Sequence, residues 1–188
     1  MTIEKSEIKI LKETVTLNST VLEYGLGWKA LCFVTCYQAN EFKYYAGFNL
    51  NSYSRSGESK STPLKTMDDF KEKGLFEKSI LVTSSGSIID DLKEIENQQF
   101  NTLIMPDILH LFEPEWALYI IDNILKKLTP DPNIYMTLCH NHKGANKNVW
   151  IFNNLRVQEV LNKYGLIHLS EKDHINYHIG RKRKHLTS

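Results

Sequence analysis

The feature that most constrains the fold of this chain is a short apolar, β-branched segment that runs directly into two closely spaced glycines. The segment is Thr20–Tyr24, and the glycines are Gly25 and Gly27. Residues 28–38 then have a mostly apolar face typical of a helix, and residues 44–50 return to the alternation of a strand. This order predicts a β-turn-α-β unit, in which the two strands lie parallel in one sheet.

The alternation of strand and helix continues along the chain. Residues 129–133, with two prolines, are typical of a rigid turn. The pattern predicts an α/β fold: a doubly wound, mostly parallel seven-stranded sheet with helices on both faces and one antiparallel strand at its edge. Further helices are predicted at residues 66–74, 88–95, 114–128 and 148–164, and further strands at residues 79–83, 100–105, 134–139, 166–169 and 175–179.

Composition and length predict one domain and exclude some partners. No repeat and no shift in composition divides the 188 residues, so residues 1–188 are expected to form a single domain. Residues 1–19 are a helical or extended lead-in. Residues 181–188 are a basic tail, interpreted as a frayed end, with a contact to phosphate or a nuclear targeting signal as the alternatives. Because 23 basic residues oppose 22 acidic ones, the net charge of +1 is too small to give the whole domain the charge of a nucleic-acid binder, and any basic patch would have to be local.

The sequence also predicts a cytoplasmic protein. Residues 1–11 lack the basic start and continuous apolar run of a signal peptide. No apolar stretch approaches the roughly 18 residues of a membrane span. The three cysteines have no framework spacing, which favours reduced thiols. We therefore expect no contact with a membrane.

The glycine turn carries a resemblance to a known family. Residues 21–27, Val-Leu-Glu-Tyr-Gly-Leu-Gly, join an apolar strand, an acid and a G-x-G turn. Such glycines let the backbone approach a ligand, and the next helix presents free amide donors. Together with the order of elements over residues 20–181, this motif resembles the class I, Rossmann-like methyltransferases that use S-adenosylmethionine (SAM). The resemblance implies that SAM is the cofactor and that Glu23, Tyr24, Gly25 and Gly27 contact it.

The second strand resembles the family's ribose-binding segment. Residues 45–51 match the strand end at which the family usually places an acid against the ribose hydroxyls of SAM, and here Asn49 stands at that position. The resemblance implies that Asn49 and Leu50 contact the cofactor. The aromatic side chains of this strand are predicted as sheet core: Tyr44, Tyr45 and Phe48.

The third strand is followed by a segment similar to the family's adenine-binding turn. Residues 82–88 match this turn, and Ser87 replaces the acid that often holds the adenine amino group. Lys29 likewise stands where the family has a third glycine. The resemblance implies that Gly86, Ser87 and Ile88 contact the cofactor.

Residues 100–112 resemble the family's fourth strand and the short apolar turn after it. The resemblance implies that Asp107 contacts the cofactor and that His110 is the catalytic base beside the acceptor. An imidazole suits this role because it titrates near neutral pH. Two alternatives stay open: His110 can hydrogen-bond the backbone, and Asp107 can cap the following turn.

A cluster of a thiol and two imidazoles follows the fifth predicted strand. Cys139, His140 and His142 combine ligand types that zinc accepts, but no fourth ligand is evident, so no metal is predicted. His140 and His142 are expected on the acceptor side of the pocket, where they bind the substrate.

The sequence therefore predicts SAM-dependent methyl transfer to a small-molecule acceptor. Displacement at a sulfonium needs mainly positioning, so the lack of an acid-base pair does not argue against it. The alternative is a catalytically inactive methyltransferase-like domain that acts as a partner-binding or regulatory subunit, as a homodimer or with another protein. Asn49 and Ser87 favour it, because neither supplies the charge that strengthens a hydrogen bond.

Overall fold

The computed structural model describes residues 11–25, 42–49, 72–83, 87–106, 108–109, 112–139, 159, 162–163, 166–172 and 176–181. Seven strands and two helices with defined bounds lie within these ranges, and residues 11–14 are also helical. The strands are β1 (Thr20–Tyr24), β2 (Phe42–Asn49), β3 (Phe76–Thr83), β4 (Phe100–Pro106), β5 (Leu128–Cys139), β6 (Leu166–Lys172) and β7 (Asn176–Arg181). The helices are α1 (Ile88–Leu92) and α2 (Pro114–Leu125).

The strands form one mixed sheet in the order β3-β2-β1-β4-β5-β7-β6. All pairs among the first five strands are parallel. Strand β7 is antiparallel to both β5 and β6. The predicted mostly parallel α/β sheet is therefore confirmed, but the position of its antiparallel strand was wrong. The short connection between β6 and β7 makes them a hairpin, and it is β7 that pairs with β5, so β6 takes the edge.

One face of the sheet packs against α1 and α2. Alternate residues of the strands point into this core, as Leu22 and Tyr24 do in β1 and Leu103 and Met105 do in β4. The helices contribute their own apolar residues, which are Ile88, Leu92, Ala117, Ile120, Ile121 and Ile124. Side chains return to the same face every 3.6 residues on a helix and every 2 residues on a strand, and this produces the predicted amphipathic faces.

The other face of the sheet is buried as well. Val21, Ile104 and Tyr135 point to this side, and each is almost completely inaccessible to solvent. Leu11 and Val15, from the turn of helix that precedes β1, are buried too. A parallel sheet buried on both faces is what the α/β prediction requires.

The predicted start of the fifth strand was wrong. Residues 129–133 are part of β5 and do not form a separate turn. The register of β5 on β4 shifts between Leu128 and Asn133. Because proline has no amide hydrogen to donate to the ladder, Pro130 and Pro132 make this stretch irregular without ending the strand.

The helix predicted at residues 114–128 is shorter than expected. Helix α2 ends at Leu125, and Leu128 already belongs to β5. The backbone amide of Phe100 donates to the carbonyl of Lys127 at 3.0 Å, which holds this segment against the start of β4. Leu128 pairs with Phe100 of β4, so the strand begins before the apolar pattern of the helix has ended.

Several predicted helices lie outside the described residues. This holds for residues 28–38 and for most of residues 66–74 and 148–164. Within the part of the chain that the structure describes, no helix is both long and apolar enough to cross a membrane.

Candidate functional site

The carboxyl ends of four parallel strands lie side by side at one edge of the sheet. Tyr24 of β1 pairs with Phe48 of β2, which in turn pairs with Val82 of β3. On the other side of β1, Glu23 pairs with Ile104 of β4. Strand β1 therefore lies where the strand order reverses. In open α/β sheets, ligands bind outside the carboxyl ends of the strands at this switch point.

Gly25 forms the turn at the end of β1. Its φ is +93°, a conformation that side chains with a Cβ rarely adopt. Its amide donates to the carbonyl of Phe48 at 3.1 Å. A Cβ at this position would lie 3.0 Å from Cγ1 of Ile108, which follows β4. Only glycine satisfies both constraints. Because Ile108 lies so close to Gly25, the turns after β1 and β4 meet at the switch point.

A buried acid precedes this turn. The Glu23 side chain is only 1% exposed and points to the face of the sheet opposite Leu22 and Tyr24. The hydroxyl of Tyr45, on the neighbouring strand, donates to Oε2 of Glu23 at 2.7 Å. A buried carboxyl group needs such hydrogen bonds to offset its lost hydration. The structure thus holds an acid two residues before a glycine turn.

Tyr24 takes part in the core. Its ring lies 5.9 Å from the ring of Phe48, and both residues are buried in the cluster that packs against the helices. Its backbone leads into the glycine turn. The predicted contact between Tyr24 and the cofactor stays a prediction.

The predicted adenine-binding residues that the structure describes have structural roles at the start of α1. Ser87 is the N-cap of this helix, and its Oγ accepts from the amide of Asp90 at 3.4 Å. The Lys93 ammonium, 2.6 Å away, and the hydroxyl of Ser87 hold the pKa of Asp90 below its usual value. Ile88 is 6% exposed and belongs to the core beneath α1. Their contacts with a cofactor stay predictions.

The remaining predicted site residues are described only in part or lie outside the described residues. The backbone of Asn49 ends β2 and pairs with Thr83 of β3, at the carboxyl edge. Ile108, which follows β4, lies beside the glycine turn, since a Cβ added at Gly25 would lie 3.0 Å from its Cγ1. The other predicted residues lie outside the described residues, as does Asp107 itself: Gly27, Leu50, Gly86, His110, His140 and His142.

Two contacts at this edge were missed by the sequence interpretation. Tyr45 was assigned to the core, where it is buried as predicted, but its hydroxyl was not given a partner. Ile108 was not assigned to the glycine turn. No signal in the sequence indicated the pair of Tyr45 and Glu23, because only the register of β1 and β2 shows that Tyr45 lies on the same face of β2 as Gly47, which pairs with Glu23.

A cleft of about 420 Å³ lies at the opposite edge of the sheet. Its lining comes from the amino ends of β1, β2 and β3 and from the residue before β4: Thr20, Lys43, Tyr44, Glu77, Lys78 and Gln99. The ammonium of Lys78 lies 4.5 Å from the centre of the Tyr44 ring. Because ligands of open α/β sheets bind at the carboxyl ends, this cleft is not the candidate site.

No family model and no curated protein sequence matches the chain. Solved structures do match it in fold. An O-methyltransferase family protein from Burkholderia thailandensis has a TM-score of 0.67 at 12% identity, over 95% of this chain and 55% of that chain. Magnesium protoporphyrin IX methyltransferase from Synechocystis PCC 6803, solved with bound SAM, has a TM-score of 0.58 at 13% identity, over 94% of this chain and 76% of that chain.

A third similar structure is the [4+2]-cyclase SpnF, with a TM-score of 0.61 at 14% identity, over 87% of this chain and 57% of that chain. The chain thus spans a little more than half the length of two of these three proteins. The chain has the fold of the class I methyltransferases, as the order of its motifs predicted. At these identities, the similarity establishes the fold alone.

Proposed function

We propose that this protein transfers the methyl group of SAM to a small-molecule acceptor. The observation that carries the proposal is the glycine turn at the switch point, with the buried acid Glu23 two residues before it. Gly25 has a positive φ and contacts Ile108, so the turn is built without a side chain at the place where ligands of this fold class bind. We propose a cytoplasmic location for this activity.

The described residues fit the amino-acid end of SAM. A buried carboxyl group suits the α-ammonium of the cofactor, because opposite charges attract more strongly where water is excluded. We assign this contact to Glu23. We propose that Gly25 and Gly27 let the backbone come close to SAM. Asn49, Leu50, Gly86 and Asp107 are proposed to hold the nucleoside.

The proposed reaction is an in-line displacement. SAM supplies an electrophilic methyl group: a lone pair of the acceptor bonds to the methyl carbon, and the electrons of the broken C–S bond stay on sulfur. The chain positions the acceptor and excludes water. We assign removal of the acceptor's proton to His110, and binding of the acceptor to His140 and His142.

Calorimetric titration with SAM and with S-adenosylhomocysteine (SAH) tests the proposal, using two glycine variants. We expect micromolar binding by the wild type and at least tenfold weaker binding by Gly25→Ala, because the added Cβ would lie 3.0 Å from Ile108 and shift the turn. Gly74→Ala is the matched control. Gly74 also has a positive φ, +67°, but a Cβ there would meet nothing within 4 Å.

Two results would contradict the proposal. The first is no binding by the wild type at millimolar ligand. The second is equal weakening by both variants, which would mean that backbone strain and not the switch-point turn decides affinity. Thermal unfolding of both variants shows whether each is folded at the temperature of the titration.

A second candidate function is a catalytically inactive domain that binds a partner, which can be a second copy of this chain. Ser87 and Ile88 favour it, since both are used by the fold itself. Trp116 of α2 is also 58% exposed. A fold shared with a cyclase does not specify methyl transfer. Folded protein that binds neither SAM nor SAH, but is a dimer by light scattering, would support this candidate.

A further inference from the structure

We propose that Tyr45 is a positioning residue: its hydroxyl fixes the Glu23 carboxylate so that the site selects ligands with an α-ammonium group. This inference rests on the proposed function, because it assigns the cationic end of SAM or SAH to Glu23. It adds to the site a residue from the middle of β2. The sequence had predicted cofactor contacts only at the carboxyl end of this strand.

The geometry of the pair carries the argument. The hydroxyl of Tyr45 lies 2.7 Å from Oε2 of Glu23, a short distance typical of a hydrogen bond to a carboxylate. Tyr45 is 0% exposed and Glu23 is 1% exposed. Water therefore does not compete for this bond, and the bond restricts the rotamers of a side chain with three rotatable bonds.

The register of the strands explains how the tyrosine reaches the acid. Tyr45 pairs with Val21, two residues before Glu23, so its ring must lean toward the carboxyl edge. The next residue on the same face of β2 is Gly47, which pairs with Glu23 and has no side chain to obstruct the ring. The hydroxyl thus approaches Glu23 from the direction of the amino ends of the strands, away from the switch point.

This arrangement concentrates selectivity at one end of the ligand. A carboxylate that is already fixed loses little freedom when a cation binds to it. At the start of α1, by contrast, Ser87 caps a helix and Ile88 packs in the core. Recognition of the ammonium is therefore expected to contribute more to affinity than recognition of the adenine.

The test compares SAH with its deaminated analogue, which has hydrogen in place of the α-amino group. Calorimetry measures the dissociation constants of both ligands for the wild type, for Tyr45→Phe and for Tyr44→Phe. We expect Tyr45→Phe to weaken SAH binding about tenfold and to leave the analogue within twofold. Tyr44→Phe is the matched control, since Tyr44 adjoins Tyr45 but belongs to the opposite face and lines the cleft at the amino edge.

The outcomes separate this inference from the proposed function. SAH binding by the wild type, with equal loss of both ligands in Tyr45→Phe, would overturn the inference alone, because a purely structural role affects both ligands. So would unchanged binding of both. If the wild type binds SAH and the analogue equally, Glu23 does not receive the ammonium. If the wild type binds neither, the proposed function fails and this inference fails with it.

Discussion

The turn after β1 and the start of α1 both carry residues predicted to bind the cofactor, yet the structure uses them differently. At the end of β1, Glu23 is an acid held in a buried position, and in the turn that follows Gly25 is required by its positive φ and by the proximity of Ile108. At the start of α1, Ser87 caps the N-terminus of the helix and Ile88 fills the core. A stable core does not need the buried acid of the first region. The helix cap and the buried isoleucine of the second region, by contrast, serve the fold.

This difference shows how to separate a ligand site from a folding motif. Burying a carboxyl group lowers stability unless hydrogen bonds compensate, so an acid kept at such a position points to a use outside folding. A serine cap and a buried isoleucine stabilise the protein by themselves. The comparison therefore predicts that changes at the start of α1 affect stability, and changes after β1 affect ligand binding.

The largest effect is expected from Ile88→Ala. We expect it to lower the free energy of unfolding by about 2–4 kcal/mol, because it removes buried methyl groups and leaves a cavity. Urea denaturation measures this loss. Ile89→Ala is the control: Ile89 is 47% exposed, and its loss should cost less than about 0.5 kcal/mol. A loss below about 1 kcal/mol for Ile88→Ala would show that this side chain is not a core residue.

Glu23→Gln is expected to act on binding. The amide keeps an acceptor for the Tyr45 hydroxyl but loses the charge, so SAH affinity should fall by about 1.5–3 kcal/mol, roughly ten- to a hundredfold. Titration of SAH measures this loss. Glu77→Gln, on an exposed residue at the amino end of β3, is the control and should leave the affinity unchanged. Unchanged SAH affinity in Glu23→Gln would mean that the end of β1 does not differ from the start of α1 in its importance for ligand binding.

Ser87→Ala should have the smallest effect. We expect about 0.5–1 kcal/mol lower stability, because the cap bond is long at 3.4 Å. The pKa of Asp90 should also rise toward its ordinary value, because the hydroxyl of Ser87 helps to lower it. Carbon-detected NMR titration of the Asp90 carboxyl measures this shift, and Ser87→Asp should restore the cap. A pKa of Asp90 that does not change would show that the hydroxyl of Ser87 does not interact with the Asp90 carboxyl.

Much of the fold could be predicted from local patterns. The bounds of β1 were predicted as observed, because its apolar run stops at a glycine turn. The prediction failed where two local signals competed with tertiary contacts. Prolines around residue 131 predicted a turn, but β5 continues through them. The apolar stripe of α2 extended to Leu128, but pairing with β4 took that residue into β5.

The candidate site was predictable to a lesser degree. The glycine turn was found because its residue types are unusual at the end of an apolar strand. Glu23 was named as a cofactor contact, but its hydrogen-bond partner was not, since only the register of β1 and β2 shows which tyrosine of β2 reaches Glu23. Ser87 was predicted as a ligand contact because it stands at the position of the family's acid. Its capping bond could be recognised only from the structure, in which the helix begins at Ile88.

The sequence by itself determined the succession of strands along the chain, the glycine turn after β1 and the apolar faces of the core, because these follow from periodicity and from the conformational freedom of single residues. Tertiary structure alone decided the contact of Gly25 with Ile108, the bond between Tyr45 and Glu23 and the place of β7 inside the sheet. The physical reason is that these pairs are distant in sequence and meet only through strand order and register, which no local pattern encodes.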